Sequence, residues 1–256
     1  MSDETSPKPL HSRRGFVFSA LGASGLILTG CDVGELAPPT RRGGLIGLAD
    51  RLTMASHRLL MAHQPLVREH DPTDITQDFP TWGQTNPEDE EYQRLLAGDF
   101  AEWRLQIGGL VNAPTSLSLD QLKGMKRRTQ ITSHICEQGW SAIGEWTGTP
   151  LSEVLAAAGG LAPEARYVVV TSFDGWYEGY DLFDVVHPQT ILAYGLNGRD
   201  LPRGNGAPVR LRVERHCGYK HLKFVKSIEA VASFEGIGQG TGGINSDWGF
   251  HWYAGA

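Results

Sequence analysis

From Trp103 onward the chain is a succession of short strand-like runs, each cut off within a few residues by Gly, Pro or Asn. That punctuation, drawn from 32 Gly and 14 Pro in 256 residues, restricts it to folds made of many short strands. Trp103 to Val111 alternates apolar and polar residues, the period of a half-buried strand. Tyr167-Val-Val-Val-Thr171 reads as a buried strand, and Pro208 to Val213 alternates again. Phe224 to Phe234 offers Val225, Ile228 and Val231 to a core, while Tyr180–Asp184 and Thr190–Gly195 read as further short elements. Helical stretches are few. Residues 91–97 form one candidate, Ser118 is placed to N-cap another, and Pro150 to Ala158 turns Leu151, Val154 and Leu155 inward before Gly159-Gly160 ends it. Leu45 to about Met61 has helical spacing interrupted by Arg and His. This mixture predicts an α+β fold with mixed sheets and short helices, not a βαβ array, and no internal repeat is visible.

The N-terminus is of a different kind. Ser12-Arg13-Arg14-Gly15-Phe16 precedes an apolar run ending near Leu28, shorter than the ~20 residues a permanent span requires. Paired arginines before such a run resemble a twin-arginine export signal. Leu28-Thr29-Gly30-Cys31 resembles a lipobox, which makes Cys31 the lipidated residue and gives the mature protein a membrane tether, with Asp32 favouring the inner membrane. Residues 1–31 are therefore read as signal and lipobox, 32–99 as a linker and an irregular wrap, and 100–256 as the catalytic domain. Without residues 1–30 the chain has 226 residues and a net charge of −7, from 20 basic against 27 acidic residues. That balance argues against a nucleic-acid partner.

Ile131-Thr-Ser-His-Ile-Cys136-Glu-Gln-Gly-Trp140-Ser141 carries the chemistry. A strand-like run delivers a cysteine into a polar loop containing Gly and Trp, which is where a fold presents a thiolate to a ligand. Several readings compete for it. Cys136 and Cys217 are the cysteines left after Cys31, and in an exported protein they could pair as a disulfide. His134-Ile-Cys136 and His216-Cys217-x-x-x-His221 could hold zinc or copper, although neither has paired CxxC spacing. A Cys136/His pair could serve a cysteine hydrolase. Gly238-Gln-Gly-Thr-Gly-Gly243 matches a dinucleotide glycine motif only formally, since no helix opens after it. The aromatic C-terminus (Trp248, Phe250, Trp252, Tyr253) reads as core packing.

The Cys136 block is followed in order by Ile191–Pro202, Gly206–Leu211 and Gly218–Ile228. Together these blocks resemble the oxidoreductase molybdopterin-binding domain of the sulfite oxidase superfamily over about residues 100–235. The resemblance implies a molybdenum–molybdopterin cofactor whose metal is ligated by the Cys136 thiolate. It carries cofactor contacts onto Thr171, Asn205, Arg210 and the segment His221, Leu222, Lys223, with Asn86 as a candidate for the remaining N-terminal contact. The residue types suit the task. A thiolate is a soft ligand, while Arg210 and Lys223 can meet the terminal phosphate of the pterin. Arg212, by contrast, reads as part of a solvated strand face. Arg94 is the nearest upstream cation for an anionic substrate such as sulfite. The stretch after residue 235 is too short for the second domain of typical sulfite oxidases. The resemblance therefore points to the short, reductase-like branch, which acts on a small oxo compound such as an S-oxide or N-oxide. Sulfite oxidation is the alternative, and a non-catalytic module is disfavoured by the intact Cys136, Asn205 and Arg210. No haem-attachment CxxCH is present, so electrons are expected from a membrane b-type cytochrome.

Overall fold

Arg104–Gly109 (β1) alternates exposed and buried residues as its sequence predicts, yet its neighbour across the ladder comes from the far end of the domain. In this computed structural model, which describes residues 44–61, 63–253 and 255, β1 pairs in parallel with Val225–Val231 (β10), Gln106 opposite Ser227. Thr115–Ser118 (β2) lies antiparallel on the other side of β1. Tyr167–Ser172 (β5) and Tyr177–Asp181 (β6) continue beyond β10, giving the order β2-β1-β10-β5-β6.

The second sheet joins Arg128–Ile135 (β3), Ser141–Pro150 (β4), Thr190–Leu196 (β7) and Arg199–Asp200 (β8), with Arg210–Val213 (β9) also pairing with β7. The ten-residue β4 has no apolar alternation to announce it. Its Gly144 and Gly148 read as loop residues but serve close approach. A Cβ at 148 would meet the Leu192 carbonyl oxygen at 2.3 Å, and one at 144 would meet Phe79 and Leu196 at 3.0 Å.

The main core lies among the sheets and the short helices. Leu105, Ile107, Val168, Val170, Leu211 and Ile228 are buried there with Leu151, Val154 and Leu155 of Leu151–Ala157 (α4). Glu90–Ala97 (α2) is N-capped by Asp89, which accepts from Tyr92 N at 2.9 Å, and contributes Tyr92 and Leu95 to the same core. Ser118 caps Leu119–Gly124 (α3) in a capping box with Gln121. Gly44–Leu60 (α1) docks elsewhere. Its Met54 packs with Val169, Phe234, Trp252 and Tyr253, and Arg58 pairs with Asp181 just before Leu182–Val185 (α5). Between α1 and α2 the chain has one short 3-10 turn, Pro72–Asp74, and otherwise runs extended. His70 N donates to Ile131 O and Thr76 N to Ile143 O, both at 2.9 Å, which ties this wrap to β3 and β4.

The expected export signal and lipobox lie outside the described residues. No helix among the described residues is long and apolar enough to cross a membrane. The Gly-rich segment 238–243 is a loop, followed only by the four-residue helix Ile244–Asp247 (α6).

Candidate cofactor site

β3 and β4 form a hairpin whose last ladder pair is Ile135 with Ser141. Residues 136–140 close it: Cys136 N donates to Trp140 O at 2.9 Å, and Gly139 takes φ +90°, which glycine adopts without strain. Side chains two apart on a strand share a face, so Gln130, Thr132, His134 and Cys136 all point inward. Cys136 and His134 thereby reach the wall of a cavity of about 290 Å³. Burial pushes the Cys136 thiol above its ordinary value, reinforced by the Glu137 carboxylate, whose Oε2 lies 3.6 Å from Sγ.

The opposite wall comes from the turns on either side of β9. Asn205, Arg210, His221, Leu222 and Lys223 all line the cavity, so the structure brings together with Cys136 most of what the sequence resemblance assigns. Gly206 makes this packing possible. Its φ is +112°, and a Cβ there would sit 2.8 Å from Lys223 Cβ and 3.1 Å from Arg210 Cβ. Arg210 donates from Nη1 to Asn205 O and from Nη2 to His221 O, both 3.1 Å, while its buried Nε has no partner among the described residues. Burial, with Arg212 next to it, lowers the Arg210 guanidinium to about 9. Lys223 Nζ donates to the carbonyls of Gly204 (3.1 Å), Trp82 (2.7 Å) and Gln84, and burial with Arg210 nearby lowers it to about 8. Asn205 Nδ2 donates to Pro80 O at 3.1 Å, which fixes the wrap against this wall.

Two assigned contacts fall elsewhere. Thr171 is half-buried on β5, its Oγ1 2.6 Å from Ser227 Oγ, and does not line the cavity. Asn86 accepts from Gln93 Nε2 at 3.1 Å and also lies outside the lining, although Trp82, Gly83 and Gln84 are in it. Arg94 is exposed and paired with Glu102. The expectation for Arg212 is overturned: its side chain is 0% exposed. Both faces of β9 are buried, and Glu214, two residues on, neutralises the charge through Nε–Oε1 (2.9 Å) and Nη2–Oε2 (2.6 Å). Trp146 lies under the guanidinium at 4.3 Å, and Nη1 is 2.7 Å from His134 Nδ1. Burial, then Arg212, Arg210 and Lys223, lower His134 to about 2. Burial followed by the same arginines holds His221 well below the usual imidazole range.

Sequence reasoning passed over the remaining wall. Asp174 sits in the turn Ser172–Trp176, closed by Ser172 N donating to Trp176 O at 2.9 Å; its Asp-Gly step was the available signal. Burial raises the Asp174 carboxyl. Trp248 and Phe250 were expected in the core but are 61% and 42% exposed at the cavity edge, where Trp248 meets Trp176 at 5.2 Å and Phe250 meets Tyr219 at 5.2 Å. Trp252 and Tyr253 are buried as expected.

The donor set discriminates among the competing chemistries. Cys136 and Cys217 are both free thiols, which removes the disulfide. His134 Nδ1 is committed to Arg212 and His216 Nε2 to Asp184 at 2.9 Å, and no group of three His, Cys, Asp or Glu among the described residues could hold a bare metal ion. One inward thiolate with no companions suits a metal that brings its other sulfur ligands with it. The partnerless Arg210 Nε and the Lys223 ammonium beside it suit the anionic end of such a cofactor. The residues present therefore fit the molybdopterin that the sequence resemblance implies.

Comparison with known proteins gives the following. The model of the oxidoreductase molybdopterin binding domain matches residues 93–235. A putative protein-methionine-sulfoxide reductase subunit, YedZ1, of Azospira oryzae is 30% identical over 248 residues, covering 96% of this chain and 89% of that protein. The protein-methionine-sulfoxide reductase catalytic subunit MsrP of Xanthomonas axonopodis pv. citri is 37% identical over 150 residues, covering 52% of this chain and 46% of that one, so the match spans about half of that relative's length. The crystal structure of the sulfane dehydrogenase SoxCD from Paracoccus pantotrophus aligns with a TM-score of 0.49 and 26% identity over 52% of this chain and 39% of its own.

Proposed function

The chain belongs to the oxidoreductase molybdopterin-binding domain family, and from that premise we propose that it reduces S-oxides, methionine sulfoxide first among them, with electrons from a membrane b-type cytochrome. It is a molybdenum-dependent oxidoreductase, and the cofactor, when bound, supplies two-electron oxygen-atom transfer. Overall, a sulfoxide, two electrons and two protons give a thioether and water.

One observation carries the choice of substrate: the cavity lining is rich in aromatic side chains and carries two acids, while its cations are committed to backbone carbonyls. Trp82, Trp176, Trp248 and Phe250 line it, with Glu137 and Asp174 among them. The two cations of the lining, Arg210 and Lys223, donate to backbone carbonyls. A neutral sulfoxide on an apolar side chain suits aromatic faces. A sulfite dianion would meet two carboxylates, with Arg210 and Lys223 given to the cofactor. The names of the relatives, a putative protein-methionine-sulfoxide reductase subunit and a protein-methionine-sulfoxide reductase catalytic subunit, support the same reading.

The residues then divide the work. Cys136 holds the metal from β3, Arg210 and Lys223 hold the anionic end of the cofactor, and Asn205 ties the extended wrap to that wall. Asp174, whose carboxyl burial raises, also lines the cavity. The Arg13-Arg14 signal and the Cys31 lipobox support a periplasmic enzyme tethered at the inner membrane, near its electron donor.

Purified, exported protein tests this reading. About one molybdenum per chain, with oxidation of reduced viologen dye that depends on methionine sulfoxide, is the expected result. Sulfite-dependent reduction of an acceptor dye with no sulfoxide activity would reverse the proposed direction. Zinc or copper without pterin would replace it altogether.

A further inference from the structure

His134 and His221 both line the cavity, with ring centroids 5.2 Å apart and planes at 90°. Each ring has one nitrogen fixed from behind, and the two fixings have opposite consequences. A guanidinium only donates. His134 Nδ1, 2.7 Å from Arg212 Nη1, is therefore the acceptor, and the neutral ring keeps its proton on Nε2. That nitrogen lies on the side left open by Gly218, where a Cβ would come within 3.0 Å of it. A backbone carbonyl only accepts. His221 Nε2, 2.9 Å from His216 O, is therefore the donor, and the remaining nitrogen, Nδ1, is a bare lone pair, buried with no partner among the described residues.

The wall thus presents one N–H and one lone pair side by side. The polarity is set several groups deep. Glu214 grips Arg212 at two nitrogens and leaves Nη1 for His134, while Gln130 Nε2 donates to Glu214 Oε1 at 2.9 Å. Sequence placement adds to this: His134 stands on the same strand face as Cys136, one step away.

We infer that His134 and His221 form a donor–acceptor pair that reads the amino-oxo-pyrimidine edge of the pterin, with Arg212 as the residue that positions it. Such an edge carries N–H groups next to carbonyl and ring-nitrogen acceptors, the complement of what the two imidazoles offer. An orphaned buried acceptor is costly, and a ligand donor at His221 Nδ1 removes that cost. The inference rests on the family's cofactor and not on the choice of sulfoxide as substrate.

The test uses the holoenzyme labelled with 15N-histidine, together with the rate at which pterin and molybdenum are lost on prolonged dialysis. The wild-type spectrum should show both rings neutral with the proton on Nε2. His134→Phe should lose cofactor about tenfold faster, the cost of one well-made hydrogen bond, while His134→Gln, which keeps an N–H, should restore most of the retention. Single loss of Arg212 would leave Glu214 buried and unpaired, so Arg212→Met/Glu214→Leu is the variant to make, since buried ion pairs are often replaced by apolar residues without loss of folding. In it His134 should show mixed tautomers and intermediate retention. A proton on Nδ1 of wild-type His134, or equal retention in His134→Phe and wild type, overturns the inference. So does an effect confined to KM for the sulfoxide, which would place the pair against substrate. Retention is measured without substrate, so a failure of the sulfoxide reading leaves this test intact.

Discussion

On the inner wall of the cavity Arg210 commits both terminal nitrogens to backbone carbonyls, Lys223 faces three more, and Arg212 is locked to Glu214 behind them. At the outer edge of the same cavity Trp82, Trp248 and Phe250 are 56%, 61% and 42% exposed, with Trp248 against Trp176 and Phe250 against Tyr219. The contrast separates two binding problems. A cofactor held for the life of the enzyme is met by preset, desolvated charges that have no freedom left to lose. A substrate that must leave after each turnover is met by apolar faces, which bind moderately and without fixed partners.

Substitutions on the two sides should therefore behave differently. Cys136→Ser should have the largest effect, removing activity by more than the roughly hundredfold that loss of an outer-shell partner costs, and metal analysis beside a dye assay would show it. Arg210→Met should come next, with cofactor retention reduced about 10–100-fold but turnover per bound molybdenum close to wild type. The pH response of Lys223 should follow in size. Because burial lowers its ammonium from the ordinary 10.5 to about 8, the empty site loses this charge as pH rises through 8. Capture of the anionic cofactor should weaken about tenfold per unit beyond that point, and Lys223→Met should abolish the dependence. The same shift makes the cofactor-free protein gain stability between about 8 and 10.5, because the unfolded chain binds the proton the folded one has released. Trp248→Ala should have the smallest effect: an aromatic contact worth about 0.5–1.5 kcal/mol raises KM for methionine sulfoxide a few-fold and leaves kcat and cofactor content unchanged. If Trp248→Ala instead released cofactor, the division between the two sides would fail.

What the sequence discloses follows the same division. Elements whose neighbours are close along the chain are legible: the Ser118 cap, the Leu151–Val154–Leu155 stripe of α4 and the alternation of β1 all read directly. β4 does not, because Gly144 and Gly148 leave space for Phe79, Leu196 and the Leu192 backbone, which arrive from other parts of the chain. Arg212 misleads for a related reason. Alternation in Arg210–Val213 implies a wet face, but that face is covered, and Glu214 with Trp146 supplies the charge balance that makes burial tolerable. Cys136, Asn205, Arg210 and the 221–223 segment, which a family pattern carries, all line the cavity. Thr171 and Asn86 came from the same pattern and lie outside the cavity. Asp174 and the exposed aromatics have no pattern, since a turn acid and scattered rings acquire meaning only when the walls meet.

The parallel ladder between β1 and β10 also sets a timetable. Ribosomal synthesis delivers β1 as the first of the described strands and its partner β10 as the last of them, and the cavity draws residues from Phe79 through Phe250. A nascent chain therefore has no half-built cavity to load, and the non-local pairing makes closure a late and slow event. Insertion of the cofactor belongs to the finished polypeptide. The proposed twin-arginine route, which carries folded cargo, matches that order of assembly.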